Sequence, residues 1–185
     1  METLIGLWLP IVVSAVLVFV ASSIIWMVLG ADKWHVRGLA DEEAVREVLL
    51  EQGVAPGLYS IPYGTEHARK EAAWREKVEK GPVAVLTVRR AGLPNMGAFL
   101  GGWFLYLLLV SYLVALVCGH TLARGTPFMR IFRVAGAVAF AAYSLGQIPN
   151  AIWWGRPWRS ALKEVGDGIV YALLTGVVFG WLWPD

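Results

Sequence analysis

The chain has 185 residues, of which 57% are hydrophobic and 16% charged, with a mean hydropathy of +0.58. A water-soluble domain of this length has too little interior to hide so much apolar surface, so the bilayer must be part of its solvent. The formal net charge is only +2, and the charges cluster between apolar stretches instead of forming one basic face, which points away from nucleic acid and other polyanions.

Residues 3–31 contain no charge and exceed the roughly 20 residues needed to cross about 30 Å of hydrocarbon. They predict the first transmembrane helix. Glu2 precedes the run without any Lys or Arg, the run is too long for a signal-peptide core, and no A-x-A site follows, so the segment reads as a retained anchor.

Residues 32–95 follow, with ten Lys/Arg and ten Asp/Glu. Asp41 caps a helix through Gln52 in which Val45, Val48 and Leu49 share a face, and Gly53 stops it. Pro56-Gly57 signals a turn, and Leu58 to Tyr63 reads as a short strand. Thr65 then caps a highly charged helix with Trp74 and Val78 on one side, ended by Gly81-Pro82, before the strand Val83 to Val88. This order of helix, strand, helix, strand predicts a small α/β insert, whose core is so small that it should lean on membrane helices or a partner.

The second transmembrane helix is expected over 96–118 and the third over 130–154, where Pro149 should introduce a kink. Between the third and fourth, residues 157–165 place Trp158, Ala161, Leu162 and Val165 opposite Arg159, Lys163 and Glu164, the pattern of an interfacial amphipathic helix. The fourth transmembrane helix follows over 166–184 and includes Asp167. The fold class is therefore a membrane all-α protein of four transmembrane helices with a small α/β insert between the first two.

Basic residues near the helix ends set the orientation. Lys33, Arg37, Arg89, Arg90, Arg156, Arg159 and Lys163 fall on one side, against Arg124, Arg130 and Arg133 on the other. The richer side should be cytoplasmic, which puts the insert inside and both termini outside. Trp8, Trp26, Trp34, Trp153, Trp154, Trp158, Trp181 and Trp183 sit near the predicted ends, where an amphipathic ring suits the headgroup layer.

Chemistry-bearing motifs are few. Cys118 is the only cysteine, so it forms no disulfide within the chain and reads as a small apolar packing residue. His35, His67 and His120 form no metal-binding or haem-binding pattern, and no nucleophile elbow, P-loop or dinucleotide fingerprint is present, so no catalytic residue, metal or cofactor is assigned. Small residues four apart, Gly97 and Gly101, Ala135 and Ala139, Ala142 and Gly146, and Gly176 and Gly180, suit close helix packing in lipid. One constellation stands out. Tyr143, Gln147 and Asn150 recur along the third helix, and Asp167 and Tyr171 along the fourth, all in the cytoplasmic half of the membrane. Ionisable and amide groups at that depth are costly unless paired, so the set is a candidate proton, ion or small-ligand site, or else an interhelical hydrogen-bond lock. Asp167 lies close enough to the interface to reach water or pair with Lys163.

Trp34-His35 followed by Leu39-Ala40-Asp41-Glu42, then Ala55-Pro56-Gly57-Leu58-Tyr59 with Pro62, Lys80-Gly81-Pro82, Asn95-Met96-Gly97 and Gly119-His120-Thr121 together resemble a family of uncharacterised bacterial inner-membrane proteins. The resemblance spans nearly the whole chain. It implies a bacterial origin and a four-helix membrane fold with a cytoplasmic insert, and it carries over no activity and no catalytic residue.

Three functions compete. The leading expectation is a non-enzymatic accessory, scaffold or assembly subunit, with the lipid bilayer and a membrane-protein partner or second copy as its contacts. The alternative is a small oligomeric transporter or ion-conducting protein built on the polar cluster. Third comes an interfacial lipid or quinone enzyme with His35, Tyr59 or His120 as acid or base.

Overall fold

A computed structural model describes residues 6–28 and 37–184. The chain divides into two compact units, one formed by Met1–Val36 with Asn95–Asp185 and the other by Arg37–Pro94.

In the first unit, α1 (Trp8–Ser23) runs on into a wide π turn, Ile24–Val28. The next helix of the unit, α4 (Met96–Thr121), begins where the Asn95 side chain accepts from the Ala98 amide at 3.1 Å, an N-cap that satisfies one of the helix's orphan donors. It is followed by α5 (Phe128–Phe140), a second π turn (Ala141–Leu145) and α6 (Gln147–Trp154), then by α7 (Trp158–Trp181). Helix α1 packs against α4 and α7, and α5 packs against α7 and α4, so the four rods close a ring. Its interior is built from small and branched side chains such as Ala15, Val18, Val114, Ala115, Ala135, Ala139 and Phe179, all fully buried, while Trp8, Val16, Leu105 and Leu173 point outward. Apolar side chains on both the inner and the outer face fit a bundle solvated by lipid. Trp8–Val28, Met96–Thr121 and Phe128–Trp154 are each long and apolar enough to cross a membrane.

The fourth rod departs from expectation. Residues 157–165 and 166–184 do not form an interfacial helix followed by a separate span; one continuous helix of 24 residues begins at Trp158. Pro157 stands just before it, its carbonyl accepting from Ser160 and Ala161, and nothing within the segment breaks the ladder: Gly168 lies against the π turn, where its missing side chain is an asset to packing. At 1.5 Å per residue the helix is about 36 Å long, but its first ten residues carry Arg159, Lys163, Glu164 and Asp167.

The third rod is also not a plain helix over 130–154. Pro149 stands in the first turn of α6, where a missing N–H leaves no bond unmade. The disturbance falls upstream, in the π turn and at Gly146, because a proline ring crowds the carbonyl four residues earlier, here Leu145. A wide turn frees backbone carbonyls, and the Tyr106 hydroxyl donates to one of them, Ala142, at 3.0 Å. At the far end, the Trp183 indole donates to the Ala123 carbonyl at 3.0 Å and the Gly125 amide to the Pro184 carbonyl at 3.1 Å, tying the end of α7 to the α4–α5 loop.

The second unit follows the predicted order: α2 (Glu42–Glu51), β1 (Gly57–Ile61), α3 (Ala72–Lys80) and β2 (Ala84–Val88). Asp41 caps α2, accepting from the Ala44 amide at 3.0 Å. The strands pair antiparallel, with Tyr59 opposite Leu86 at the centre. Thr65 does not cap α3; it accepts from Ala68 at the head of a single 3-10 turn, Ala68–Lys70, and α3 starts after Glu71. Gly64 packs flat under the Trp74 indole, so closely that a Cβ there would stand 2.4 Å from Nε1. No apolar side chain in this unit is fully buried among the described residues, and Leu50, Leu58 and Val83 are each at least 60% exposed.

Candidate functional site

Where α6 gives way to α7, the chain turns through Gly155, held at φ +66, the left-handed conformation that a glycine adopts without strain. This turn brings Arg156 back over both helices. One guanidinium nitrogen donates to Glu164 at 2.9 Å and to the Gln147 side-chain oxygen at 3.1 Å, and the other pairs with the second Glu164 oxygen. One turn further along α7, Lys163 pairs with Asp167, and its ammonium also stands 4.9 Å from the centre of the Trp26 ring on the π turn after α1. Charge-assisted contacts of this kind, largely shielded from water, are the strong ones.

Beside these pairs lies a cavity of about 320 Å³ lined by Trp26, Trp103, Tyr143, Gln147, Glu164, Asp167 and Tyr171. Its aromatic wall is continuous: Trp103 stacks on Tyr106 at 5.3 Å, Tyr106 meets Tyr143 edge-on at 6.2 Å, and Tyr143 meets Tyr171 edge-on at 5.7 Å. The Trp103 indole donates to the Ser22 hydroxyl at 2.9 Å, which fixes that ring against α1. Tyr143 and Tyr171 are 7% and 5% exposed, and neither hydroxyl makes a hydrogen bond of good geometry among the described residues, although Thr175 and Ser111 lie close to the first and Trp26 to the second. Buried hydroxyls normally find a partner, so two that face a cavity mark it as a place for a polar guest.

Four of the five residues expected to cluster, Tyr143, Gln147, Asp167 and Tyr171, thus meet around one cavity. Asn150 does not. Its amide turns back onto the Gly146 carbonyl at 3.3 Å, and its own carbonyl receives the Arg156 backbone amide, because the π turn lies between it and Tyr143 and puts it out of phase with that face. The cavity also holds residues that periodicity did not select. Glu164 looked like part of a solvated face and Trp26 like a headgroup anchor, and Arg156 and Lys163 looked like interface charges.

The small-residue pairs divide. Ala135 and Ala139 are fully buried, and a Cβ on Gly176 or Gly180 would stand 3.0 Å from Phe132 or 2.6 Å from Phe128, across the α5–α7 contact. Gly101 and Gly146 have nothing within 4 Å and Gly97 meets only Asn95, while Ala142 is half-buried; the expected close approach at these positions is absent within this chain. The tightest glycine is Gly168, whose Cβ would stand 2.2 Å from Ser144 Oγ. Cys118 is fully buried.

Of the histidines, His35 lies outside the described residues, and His120 Nδ1 contacts the Leu116 carbonyl at 2.7 Å. The Tyr59 hydroxyl donates to the Ala55 carbonyl at 2.7 Å inside the insert. Among the described residues no three histidine, cysteine or acidic side chains converge as a metal site. No protein-family model matches the chain, and no curated protein or solved structure is similar to it at a significant level.

Proposed function

We infer that the chain is a four-span inner-membrane protein of bacterial type that serves as a non-enzymatic accessory or assembly subunit, with its insert in the cytoplasm and a partner subunit covering that insert. The observation that carries this reading is the pairing of the charged groups at the α6–α7 corner: Arg156 with Glu164, and Lys163 with Asp167. Charges matched within the chain hold helices together and leave no lone carboxylate for a proton relay. The insert supports it further, since its helices and strands are formed yet its apolar side chains remain exposed, and a two-stranded sheet with two short helices gains stability when something covers it. Helix α7 is as long as the other rods and antiparallel to α5 by connectivity, which supports a fourth span despite its charged first turns. The motif residues Asn95 and Asp41 act here as helix caps, in keeping with the structural role that the resemblance to uncharacterised inner-membrane proteins implies.

Topology is tested by cysteine labelling in a Cys118→Ala background. A membrane-impermeant maleimide added to intact cells should label Arg124→Cys and spare Lys77→Cys; the reverse pattern removes the orientation. Partnership is tested by mild detergent extraction and mass spectrometry of what co-purifies. A specific membrane protein should accompany the wild type, and Asp167→Asn, which keeps a polar group of the same size, should retain it at the same ratio. A pure monomer, or a folded and abundant Asp167→Asn protein that has lost its cellular role, would favour the transporter reading.

A further inference from the structure

We propose that the cavity between α1, α4, the 141–145 π turn and α7 is a binding site for a small organic ammonium ion, and that Lys163 is the tethered cation such a ligand displaces. The walls carry the argument. Trp26, Trp103, Tyr143 and Tyr171 line the cavity together with two carboxylates, Glu164 and Asp167. Aromatic faces combined with carboxylates in a site shielded from water are the chemistry that recognises alkylated ammonium groups, since the ring quadrupole attracts a cation that gives up its hydration readily. About 320 Å³ falls at the lower end of ordinary ligand pockets, so the guest is small.

The resident lysine shows that the site accepts a cation. Its ammonium is paired with Asp167 and stands 4.9 Å from the Trp26 ring, touching one carboxylate and one ring of the cavity at once. It sits in the second turn of α7 on a four-carbon stem, so it can swing towards the headgroup layer and keep its charge there. An incoming monocation would then replace it beside Asp167. Glu164 stays neutralised by Arg156, and the exchange leaves the charge within the cavity unchanged. Binding proceeds without bond making or proton transfer. The buried Tyr143 and Tyr171 hydroxyls offer hydrogen bonds to a hydroxyl or carbonyl elsewhere on the same guest, which would select a functionalised amine over a bare one.

Because the tethered lysine competes at high effective concentration, removing it should tighten binding by roughly tenfold or more. The test uses the full chain in lipid nanodiscs, calorimetric titration with tetraethylammonium, and the uncharged alcohol 3-ethyl-3-pentanol as a control of similar girth. The wild type should bind the ammonium weakly and the alcohol undetectably, Lys163→Met should bind the ammonium at least about tenfold more tightly, and adding Asp167→Asn to that variant should abolish the gain. A second measurement needs no variant: acylation of Lys163 in the wild type, followed by mass spectrometry, should accelerate several-fold at saturating tetraethylammonium. Equal binding of the alcohol, a folded Lys163→Met protein without tighter binding, or an unchanged acylation rate each overturns the proposal. If Lys163→Met fails to fold, the acylation rate decides alone.

Discussion

Gly168→Leu is expected to abolish the folded bundle, read as loss of the monodisperse peak in detergent and of protein recovered from the membrane. A Cβ at this position would stand 2.2 Å from Ser144 Oγ, 3.2 Å from Ser144 Cβ and 3.2 Å from the Tyr143 carbonyl carbon. The hydroxyl can rotate away; the backbone carbon cannot. Gly168→Ala should therefore cost about 1–3 kcal/mol, the usual range for overpacking, which exceeds the gain of roughly 1 kcal/mol that alanine brings to a helix interior. A leucine adds three more heavy atoms to a contact with no room for the first. Gly101→Leu supplies the contrast. Nothing lies within 4 Å of that position, so thermal unfolding of the isolated chain should be unchanged or slightly raised. Equal tolerance at the two glycines would mean that α7 does not pack on the π turn.

A second large effect is expected at Arg156. Its guanidinium holds both Glu164 oxygens and the Gln147 amide oxygen across the α6–α7 turn, and the Glu164 side chain is only 14% exposed. Arg156→Met leaves that carboxylate without its fork, at a cost of about 2–4 kcal/mol, somewhat less than for a fully buried pair because Arg156 itself is one-third exposed. Arg156→Lys keeps the charge but loses the bidentate geometry, and about half that cost should remain. The double variant Arg156→Met with Glu164→Met should recover most of the loss, since removing both partners leaves no charge stranded. The double-mutant cycle is read by thermal unfolding in nanodiscs. If the double variant is as unstable as Arg156→Met alone, the pair does not act as a unit.

Periodicity and charge accounting reached a good part of this architecture. Uninterrupted apolar runs identify three rods long enough to span the membrane, because length and hydropathy are local properties of a chain. In the insert, Asp41, Gly53 and Gly81 mark helix ends through backbone demands that each residue states by itself. What escaped was decided between segments. An amphipathic pattern beside an apolar one gives no sign of whether a helix continues from Trp158 to Trp181, and the answer came from the close seat of Gly168 on Ser144. Glu164 and Lys163 looked like a solvated face because a sequence pattern shows which side of a helix is charged, not whether Arg156 and Trp26 will be waiting there. Asn150 was misplaced for a different reason: counting in steps of three and four assumes a uniform turn, and the 141–145 segment is wider.

That wide turn has a consequence for kinship. A π turn accommodates one residue more than the α turn it replaces, and each residue of an α-helix advances the chain by about 100°. Loss of a single residue between Ala141 and Leu145 would let an ordinary helix form, and everything downstream would rotate by roughly a quarter-turn. Gln147 would leave the cavity wall, and Arg156 would swing off Glu164 while every side chain in the cluster kept its chemical identity. Among evolutionary relatives of this chain, a one-residue gap at that point would therefore divide molecules that possess the cavity from those that do not, more sharply than any substitution among the residues that line it.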